Sequence, residues 1–353
     1  MVIPTLEQGG MERVMCELAN YTVTQDQEVY IICLLKSNIV YPLAPAIKVI
    51  FPDFDYKKSV SVKFKLIKAL YKNLKQLSPD VVLSFGEIFN SLTVLACKIL
   101  KIPVYISDRS SPFATQGRFN DLLKKLAYPL ADGFIAQTEL AKTIFAKKGY
   151  SKNIVAIANP LKKFGNGIKS VNDLPIDEKK VVLSIGRVVA GKNHKELIDI
   201  FNEINKPDWK LLIVGGGPLI GELNDHIKSL NKEDTIIMVG ASNNVDEWLA
   251  KADVFAYASL TEGFPNALSE AVAFPLPSIA YDCPAGPSDI IQNDVNGVII
   301  PLYDKKLYKN RLEELMTNRP MRDKIRKNAF LNRERYSVES IGRQYLNFIT
   351  SKI

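Results

Sequence analysis

The sequence predicts an α/β protein with two doubly wound parallel-sheet domains that face a cleft. Two series of short apolar strands alternate with helical segments, and the polar residues 161–179 separate the two series. The 353 residues are enough for two domains that each bury a core of their own. We therefore predict a first domain at residues 1–165, a second at residues 166–336, and a final helical segment at residues 337–353.

The composition excludes several classes of protein. Hydrophobic residues make up 47% of the chain and charged residues 24%, which is typical of a soluble globular protein. No apolar run approaches the roughly 18 residues that a transmembrane helix needs. The four cysteines show neither metal nor disulfide spacing, and we expect buried thiols in a reducing cytosol. They are Cys16, Cys33, Cys97 and Cys283.

Positive charge is concentrated in the first half of the chain. The net charge is +8, and residues 1–170 carry 23 Lys and Arg against 13 Asp and Glu. The second half is close to neutral. A basic first half indicates an anionic partner there, which leaves nucleic acid, anionic lipid and a phosphate-bearing substrate open.

The chain opens with a predicted strand at residues 2–6 and a helix at residues 11–21. Gly9 and Gly10 lie at the junction, where glycines let the backbone approach a ligand and leave N–H groups for phosphate. A signal peptide is not expected, because the first six residues are too short for one and lack a basic leader. A first strand normally begins several residues earlier, which leaves open whether residues precede Met1.

The rest of the first half continues the alternation of strands and helices. Strands are predicted at 29–35, 48–51, 81–85, 103–107, 131–138 and 154–158, and helices at 57–77, 88–100 and 139–148. Strand 103–107 runs into a polar loop that contains Arg109, at the carboxyl end of a parallel strand, where such folds bind ligands. Asp53 and Asp55 have the spacing of a D-x-D metal motif but no supporting context. We predict no metal site there.

The predicted helix at residues 57–77 is amphipathic, with apolar residues at helical spacing and one cationic face. Its lysines are Lys57, Lys58, Lys63, Lys65, Lys68, Lys72 and Lys75. No acidic residue on the same helix pairs with them. Two interpretations stay open: a solvated surface, or contact with anionic lipid headgroups or a lipid-diphosphate acceptor.

The second half begins with a buried strand at residues 181–185, followed by a glycine-bounded loop. Arg187 and Lys192 lie five residues apart in this loop, just before a helix at residues 194–204. Two cations at such a place suit a diphosphate, because arginine offers a planar fork and lysine a point charge. Further strands are predicted at 210–214, 235–239, 254–257 and 278–280, and the first of them ends in the glycine-rich loop 215–218.

Residues 259–270 carry the most informative motif. Glu262 and Glu270 stand eight residues apart across a Gly-Phe-Pro turn, and a helix is predicted to begin near Pro265–Asn266. The free N–H groups of the helix N-terminus would then lie between two acceptors. A ligand with a central diphosphate and hydroxyl-rich sugars on either side fits this arrangement. A nucleotide-sugar has that shape.

Several motifs together resemble the retaining glycosyltransferases of family 4, which have the two-domain GT-B fold. The E-x7-E motif corresponds to Glu262 and Glu270, and the R-x4-K element to Arg187 and Lys192. The loops at residues 9–14, 107–112, 215–218 and 283–291 also match family segments. The resemblance covers nearly the whole chain and implies two Rossmann-like domains. It also implies that the final helix at 337–353 crosses back to the first domain.

The resemblance implies roles for individual residues. Glu262 would contact the transferred sugar and Glu270 the ribose, and Arg187 and Lys192 would stabilise the departing diphosphate. The implied donor-binding set is Gly9, Gly10, Gly186, Gly215, Gly263, Phe264, Pro265, Asn266, Ala267, Leu268 and Glu270. Arg109 matches an arginine of the family and is placed, with the lysines of 57–75, on the acceptor and membrane side. Many relatives have a histidine in the first domain, and this chain has none there, which leaves the donor sugar open.

The implied function is retaining transfer of a hexose or N-acetylhexosamine from a nucleoside-diphosphate donor, UDP above all, to a lipid-linked glycan. Neither a metal nor another cofactor is expected, and the protein would associate peripherally with the cytoplasmic face of the inner membrane. Acceptor and linkage depend on the loops at 9–13 and 108–120. Two alternatives remain: a basic protein that binds nucleic acid, for which no binding motif is visible, and an epimerase or phosphorylase on the same fold.

Overall fold

The computed structural model describes residues 1–52, 60–161, 180–242 and 244–351, with the side chains of residues 60–64 excepted. Asp53, Asp55, Lys57 and Lys58 lie outside these ranges, as does the side chain of Lys63. The chain divides into two compact units. The first comprises Met1–Lys162 and Tyr336–Ile353, and the second Lys163–Arg335.

The first unit is built on a seven-stranded parallel sheet, which confirms the predicted sheet type. The strand order is β3-β2-β1-β4-β5-β6-β7, so the direction of winding reverses beside β1. The strands are β1 (Val2–Ile3), β2 (Tyr30–Cys33), β3 (Lys48–Ile50), β4 (Val82–Phe85), β5 (Val104–Ser107), β6 (Gly133–Ala136) and β7 (Ile154–Ala156). The predicted strand at 2–6 is wrong beyond Ile3, because Pro4 has no N–H to donate to a ladder.

Helices cover both faces of this sheet. They are α1 (Gly10–Val23), α2 (Val60–Leu77), α3 (Glu87–Leu100), α4 (Arg118–Ala127), α5 (Glu139–Lys147) and α13 (Val338–Thr350). On α2, Leu66, Leu70 and Leu74 are buried in the core, which leaves the lysine face outward. The loop predicted to extend to residue 120 is wrong in its last part, because α4 already begins at Arg118.

The second unit has a six-stranded parallel sheet in the order β10-β9-β8-β11-β12-β13. Its strands are β8 (Val181–Ile185), β9 (Lys210–Val214), β10 (Ile236–Gly240), β11 (Val254–Tyr257), β12 (Ser278–Tyr281) and β13 (Val298–Ile300). Its helices are α6 (His194–Ile204), α7 (Ile220–Ser229), α8 (Val245–Ala250), α9 (Asn266–Ala273), α10 (Pro287–Ile290), α11 (Lys305–Thr317) and α12 (Arg319–Asn332). Winding reverses between β8 and β11, which fixes where a ligand site is expected.

The cysteines are free and buried, as predicted. Burial raises the pKa of each of the four thiols to about 12. Thiols with such a pKa stay protonated and unreactive at neutral pH.

Helix α13 is the last element of the chain and belongs to the first unit. Its aromatic residues pack edge-on against the sheet, Tyr345 on Phe85 and Phe348 on Tyr105. Gly342 lets the helix lie close to α1, because a Cβ added there would stand 2.3 Å from Cδ1 of Tyr21. The close packing of α13 against α1 therefore depends on glycine, which has no side chain, at position 342.

We expect Gly342→Ala to destabilise the protein by about 1–3 kcal/mol through overpacking against Tyr21, although alanine favours helix. Thermal unfolding followed by circular dichroism measures the change. The control is Gly221→Ala on α7, where no atom stands within 4 Å of the added Cβ and stability should not fall. Tyr21→Ala should relieve part of the cost when combined with Gly342→Ala; strictly additive losses would contradict the steric explanation.

Candidate functional site

The topology of the second sheet brings two remote loops together. β8 and β11 are neighbouring parallel strands, so the loops that follow them leave from the same edge of the sheet. One loop carries Arg187 and Lys192 and the other carries Glu262. The Leu260 N–H donates to the Gly191 carbonyl oxygen at 2.9 Å, which fixes the two loops to each other.

Lys192 and Glu262 meet at the centre of this edge. Lys192 Nζ lies 2.5 Å from Glu262 Oε1 and 2.9 Å from the hydroxyl of Tyr257. The same carboxylate oxygen accepts from the hydroxyls of Tyr257 at 2.6 Å and Ser259 at 2.5 Å. The side chains of Lys192 and Glu262 keep 21% and 10% of their accessible surface. This polar cluster is therefore largely enclosed but still open to a ligand.

Tyr257 stays a neutral hydroxyl in this cluster. Burial, and next the charge of Glu262, raise the pKa of Tyr257 well above its ordinary value. Its O–H thus donates to Glu262 while its oxygen accepts from Lys192, and the hydroxyl bridges the two charges. Sequence reasoning missed Tyr257 and Ser259, because the strand that carries Tyr257 reads as apolar. The signals were their position at the carboxyl end of β11 and, for Ser259, its place as the first residue of the 259–270 motif.

Glycines allow the neighbouring loops to pack backbone against backbone. A Cβ on Gly215 would stand 1.9 Å from the Gly186 carbonyl oxygen, and one on Gly217 would stand 2.3 Å from that of Val188. The Val188 N–H donates to the Gly216 carbonyl oxygen at 2.9 Å. Gly215 therefore supports the loop that carries Arg187, whatever further contact it makes with a donor.

Helix α9 comes directly after the cluster in the chain. The prediction of its start is confirmed, since α9 begins at Asn266. The Asn266 N–H donates to the Phe264 carbonyl oxygen and the Ser269 N–H to that of Pro265, each at 3.0 Å. The N-terminus of a helix still favours negative charge through the helix dipole. Gly286 packs against this start, because a Cβ there would stand 2.2 Å from Cδ of Pro265. The segment 283–291 thus braces the turn that precedes α9.

The remaining residues predicted for the donor differ in accessibility. Glu270 lies one turn inside α9 and is 6% exposed. Phe264, Pro265 and Leu268 are buried, whereas Gly263, Asn266 and Ala267 are partly accessible. Because Phe264 and Leu268 are buried, they support the site by packing beneath it.

Arg187 is exposed and takes no part in the ion pair. Its guanidinium makes no hydrogen bond or ion pair with any residue in the described ranges. It directly follows Gly186 at the end of β8. Arg187 is therefore available to an anionic ligand at this edge of the sheet.

The predicted residues of the first unit make structural contacts. Gly9 caps α1, and a Cβ on it would stand 2.1 Å from Glu12 Oε2; Gly10 is the first residue of that helix. Arg109 donates to Asn159 Oδ1 at 2.5 Å and to the Tyr345 hydroxyl at 3.0 Å. Its guanidinium also lies 3.7 Å from the Phe85 ring centroid. Arg109 thus ties the loop after β5 to helix α13.

Glu87 is a further residue of this region that sequence reasoning missed. Its Oε1 accepts from the N–H groups of Arg109 and Ser110 and from the Ser110 hydroxyl, at 2.6–2.7 Å. One carboxylate therefore shapes the loop predicted to face the acceptor. Its place just after β4, at the same edge of the sheet, was the available signal.

The ranges that the structure describes contain neither a cluster of metal ligands nor a helix suited to a membrane. No three side chains of His, Cys, Asp or Glu come together there as a metal ion would require. None of the helices in those ranges combines the length and apolar character needed to cross a bilayer.

Two family models match the chain. The model described as "Glycosyltransferase Family 4" matches residues 8–162, and the one described as "Glycosyl transferases group 1" matches residues 168–331. The lipopolysaccharide outer core galactosyltransferase WaaB has a similar structure, with a TM-score of 0.78, 21% identity and full coverage of both chains. Anabaena HepE, solved with UDP, has a TM-score of 0.80 at 17% identity, with 99% of each chain covered.

Relatives of similar length are also found by sequence. The amylovoran biosynthesis glycosyltransferase AmsD of Erwinia amylovora is 27% identical over 96% of this chain and 95% of its own length. An N-acetyl-D-galactosaminyltransferase of Campylobacter jejuni, named for a substrate linked to PP-undecaprenol, is 28% identical over 99% of this chain and 97% of its own.

The fold is that of the GT-B class, and both family models are those of glycosyltransferases. The two family models together account for nearly the whole chain, and the chain belongs to the family 4 type of these enzymes.

His194, the first residue of α6, offers a pH-dependent test of how this region is packed. Burial lowers the pKa of His194 to about 4, and the charge of Lys192 adds to the shift. In the unfolded chain the His194 imidazole takes up a proton as the pH falls below its ordinary pKa of about 6.5. In the folded protein the same imidazole stays neutral until about pH 4. The free energy of unfolding therefore falls as the pH drops from 6.5 to 4.

We expect His194 to account for a loss of about 1 kcal/mol between pH 7.5 and pH 5.5. Urea unfolding followed by tryptophan fluorescence reports on the correct unit, because both tryptophans, Trp209 and Trp248, lie in the second one. A His194→Gln variant should lose this part of the pH dependence. An identical pH dependence in both proteins would show that His194 is not neutral in the folded state.

Proposed function

We propose that the protein transfers a hexose or N-acetylhexosamine from a UDP-sugar to a lipid-diphosphate-linked glycan, with retention at the anomeric carbon and without a metal ion. The observation that carries the proposal is the meeting of Lys192 and Glu262 at the N-terminal end of α9. Cation, carboxylate and helix N-terminus are the groups that a sugar diphosphate requires.

The diphosphate is assigned to the cationic side of the cluster. Glu262 pairs with Lys192, and a diphosphate would offer the lysine a second anionic partner. Arg187, exposed on the same loop, would add its planar fork. Negative charge grows on the diphosphate as the glycosidic bond breaks, and two cations with the helix N-terminus stabilise that charge. This supply of positive charge supports a reaction without metal.

Glu262 is assigned to the sugar. Its Oε1 is already bound by Lys192, Tyr257 and Ser259. A carboxylate with one oxygen so occupied suits the orientation of a sugar hydroxyl better than nucleophilic attack. The acceptor hydroxyl would then react on the face of the leaving group, with the departing phosphate taking its proton. Glu270, buried one turn further along α9, would hold the ribose.

The acceptor is assigned from chemistry and from relatives. Lys65, Lys68, Lys72 and Lys75 are exposed on α2 and form no ion pair with a residue in the described ranges. Such a surface fits the headgroup side of a bilayer or the diphosphate of a lipid-linked glycan. The names of two Campylobacter jejuni relatives give undecaprenol-linked substrates. The protein would therefore work at the cytoplasmic face of the inner membrane.

The direct test is incubation with a panel of UDP-sugars and membrane-extracted lipid-diphosphate glycans, with identification of the product and its anomeric configuration. We expect one donor to extend the lipid-linked glycan with retention, in the presence of a metal chelator. Sugar release without acceptor, or interconversion of the donor sugar, would point to a phosphorylase or an epimerase.

Substitutions test the assigned roles. Glu262→Gln, Arg187→Ala and Lys192→Ala should each reduce turnover by about 10²-fold or more, because each removes charge stabilisation or orientation in the transition state. The matched control is Lys195→Ala, which removes an exposed lysine from the neighbouring helix α6. It should leave turnover within about twofold. Near-full activity of any of the three variants would remove that residue's role.

A second set of variants tests the lysine face of α2. Replacing Lys65, Lys68, Lys72 and Lys75 by glutamine should raise the KM for the lipid-linked acceptor and weaken binding to anionic vesicles, because positive charge is lost. UDP affinity should stay unchanged. The control is Lys142→Gln on α5, which removes an exposed lysine that pairs with Glu139. Unchanged acceptor kinetics would mean that the α2 face is only solvated.

A further inference from the structure

Helix α4 exposes an apolar face. Phe119, Leu122 and Leu126 are 65%, 57% and 65% exposed. Their spacing of three and four residues puts them on one side of the helix. We call these three residues the α4 apolar face. Leu130, just beyond the helix, is 48% exposed and extends the apolar surface.

The orientation of α4 is fixed by a buried ion pair. The buried residues of this helix are Lys124 and Ala127. Lys124 Nζ lies 2.7 Å from Oδ2 of Asp108, and the other oxygen of Asp108 accepts from the Tyr128 hydroxyl at 2.6 Å. A lysine inside and a phenylalanine with two leucines outside is the reverse of a helix on a water-exposed surface. The outward apolar face is therefore held in place by specific interactions.

Cationic side chains adjoin the α4 apolar face. Arg118 and Lys125 are exposed on the same helix, and Lys148 at the end of α5 donates to the Pro112 carbonyl oxygen at 2.8 Å, in the loop before α4. The acidic residue of the helix, Asp121, accepts from the Gln116 N–H at 3.0 Å. An apolar stripe with a basic border is the composition of helices that lie in the interface of an anionic bilayer.

The lysines of α2 lie on the same side of the sheet. Leu66 of α2, Val94 of α3 and Ala127 of α4 belong to one hydrophobic core cluster. Among the described side chains of α2, no large apolar residue is exposed. The described lysines of α2 can therefore attract an anionic surface, and α4 supplies an exposed apolar contact that the described side chains of α2 do not offer.

We infer that the α4 apolar face docks the protein on an anionic lipid bilayer, with Phe119, Leu122 and Leu126 at the boundary of headgroups and acyl chains. The inference rests on the proposed function, since it names the surface that brings the enzyme to a lipid-linked acceptor. Asp108, which anchors α4, precedes Arg109 in the loop predicted to face that acceptor. Docking through α4 thus places the bilayer next to this loop.

A second copy of the chain fits the α4 apolar face less well than an anionic bilayer does. A two-fold symmetric contact through α4 would bring Arg118 and Lys125 near their own copies. Like charges at an interface oppose association unless acidic residues intervene. Asp121, the one acidic residue of α4, already binds a backbone N–H.

The experiment is co-sedimentation of the full chain with vesicles made of phosphatidylglycerol and phosphatidylcholine. A variant with Phe119→Gln, Leu122→Gln and Leu126→Gln should lose about tenfold or more of its vesicle partitioning, because the apolar contact is removed while the charges stay. The control is Leu331→Gln, which removes a leucine that is 69% exposed on α12 of the second unit. It should partition like the wild type.

Unchanged partitioning of the triple variant overturns the inference. A wild-type dimer that the triple substitution converts to monomer, with equal vesicle binding, would assign the face to a second copy instead. UDP affinity, measured without vesicles, keeps the two proposals apart: normal UDP binding with lost partitioning supports docking even if no glycan product forms. Should the triple variant not fold by circular dichroism, Leu126→Gln alone should still lower partitioning by a smaller factor.

Discussion

The candidate site of the second unit is organised around one interaction, the ion pair between Lys192 and Glu262, which are 70 residues apart in the chain. The pair forms because β8 and β11 lie side by side at the point where the sheet reverses its winding. Two charges so enclosed would be costly if either stood alone. Tyr257 and Ser259 complete the hydrogen bonds of the carboxylate oxygen, so the charges of Lys192 and Glu262 are compensated within the cluster.

Close packing of neighbouring loops supports the same edge of the sheet, and it depends on glycines at which a Cβ atom would clash. Gly215 and Gly217 allow one loop to lie on the backbone of Gly186 and Val188, and Gly286 allows another to lie on Pro265. Polar groups therefore sit on rigid, close-packed turns. The first unit uses a different device: Glu87 and Arg109 build the loop after β5 through hydrogen bonds, and Lys124 holds α4 by its bond to Asp108.

Local pattern and motif spacing were sufficient to predict much of the second sheet. The bounds of α6 and of the strands β9 and β11 agree with the prediction residue for residue, because each is a buried strand or an amphipathic helix with clear ends. Contacts between remote residues that the resemblance to family 4 does not cover were beyond reach. The link from Arg109 to Asn159 and Tyr345 joins three segments of the chain. Tyr257 could not be singled out because it lies in an apolar strand and only its hydroxyl is polar. Helix α4 was missed because its inward residue is a lysine, which inverts the usual pattern.

We expect Lys192 and Glu262 to bind one and the same nucleotide-sugar. A crystal structure with a bound UDP-sugar is the decisive measurement. It should show the diphosphate within hydrogen-bond distance of Lys192 Nζ and of the Arg187 guanidinium, and a sugar hydroxyl against Glu262. A diphosphate bound elsewhere in the chain, with the ion pair of Lys192 and Glu262 intact and untouched, would contradict it.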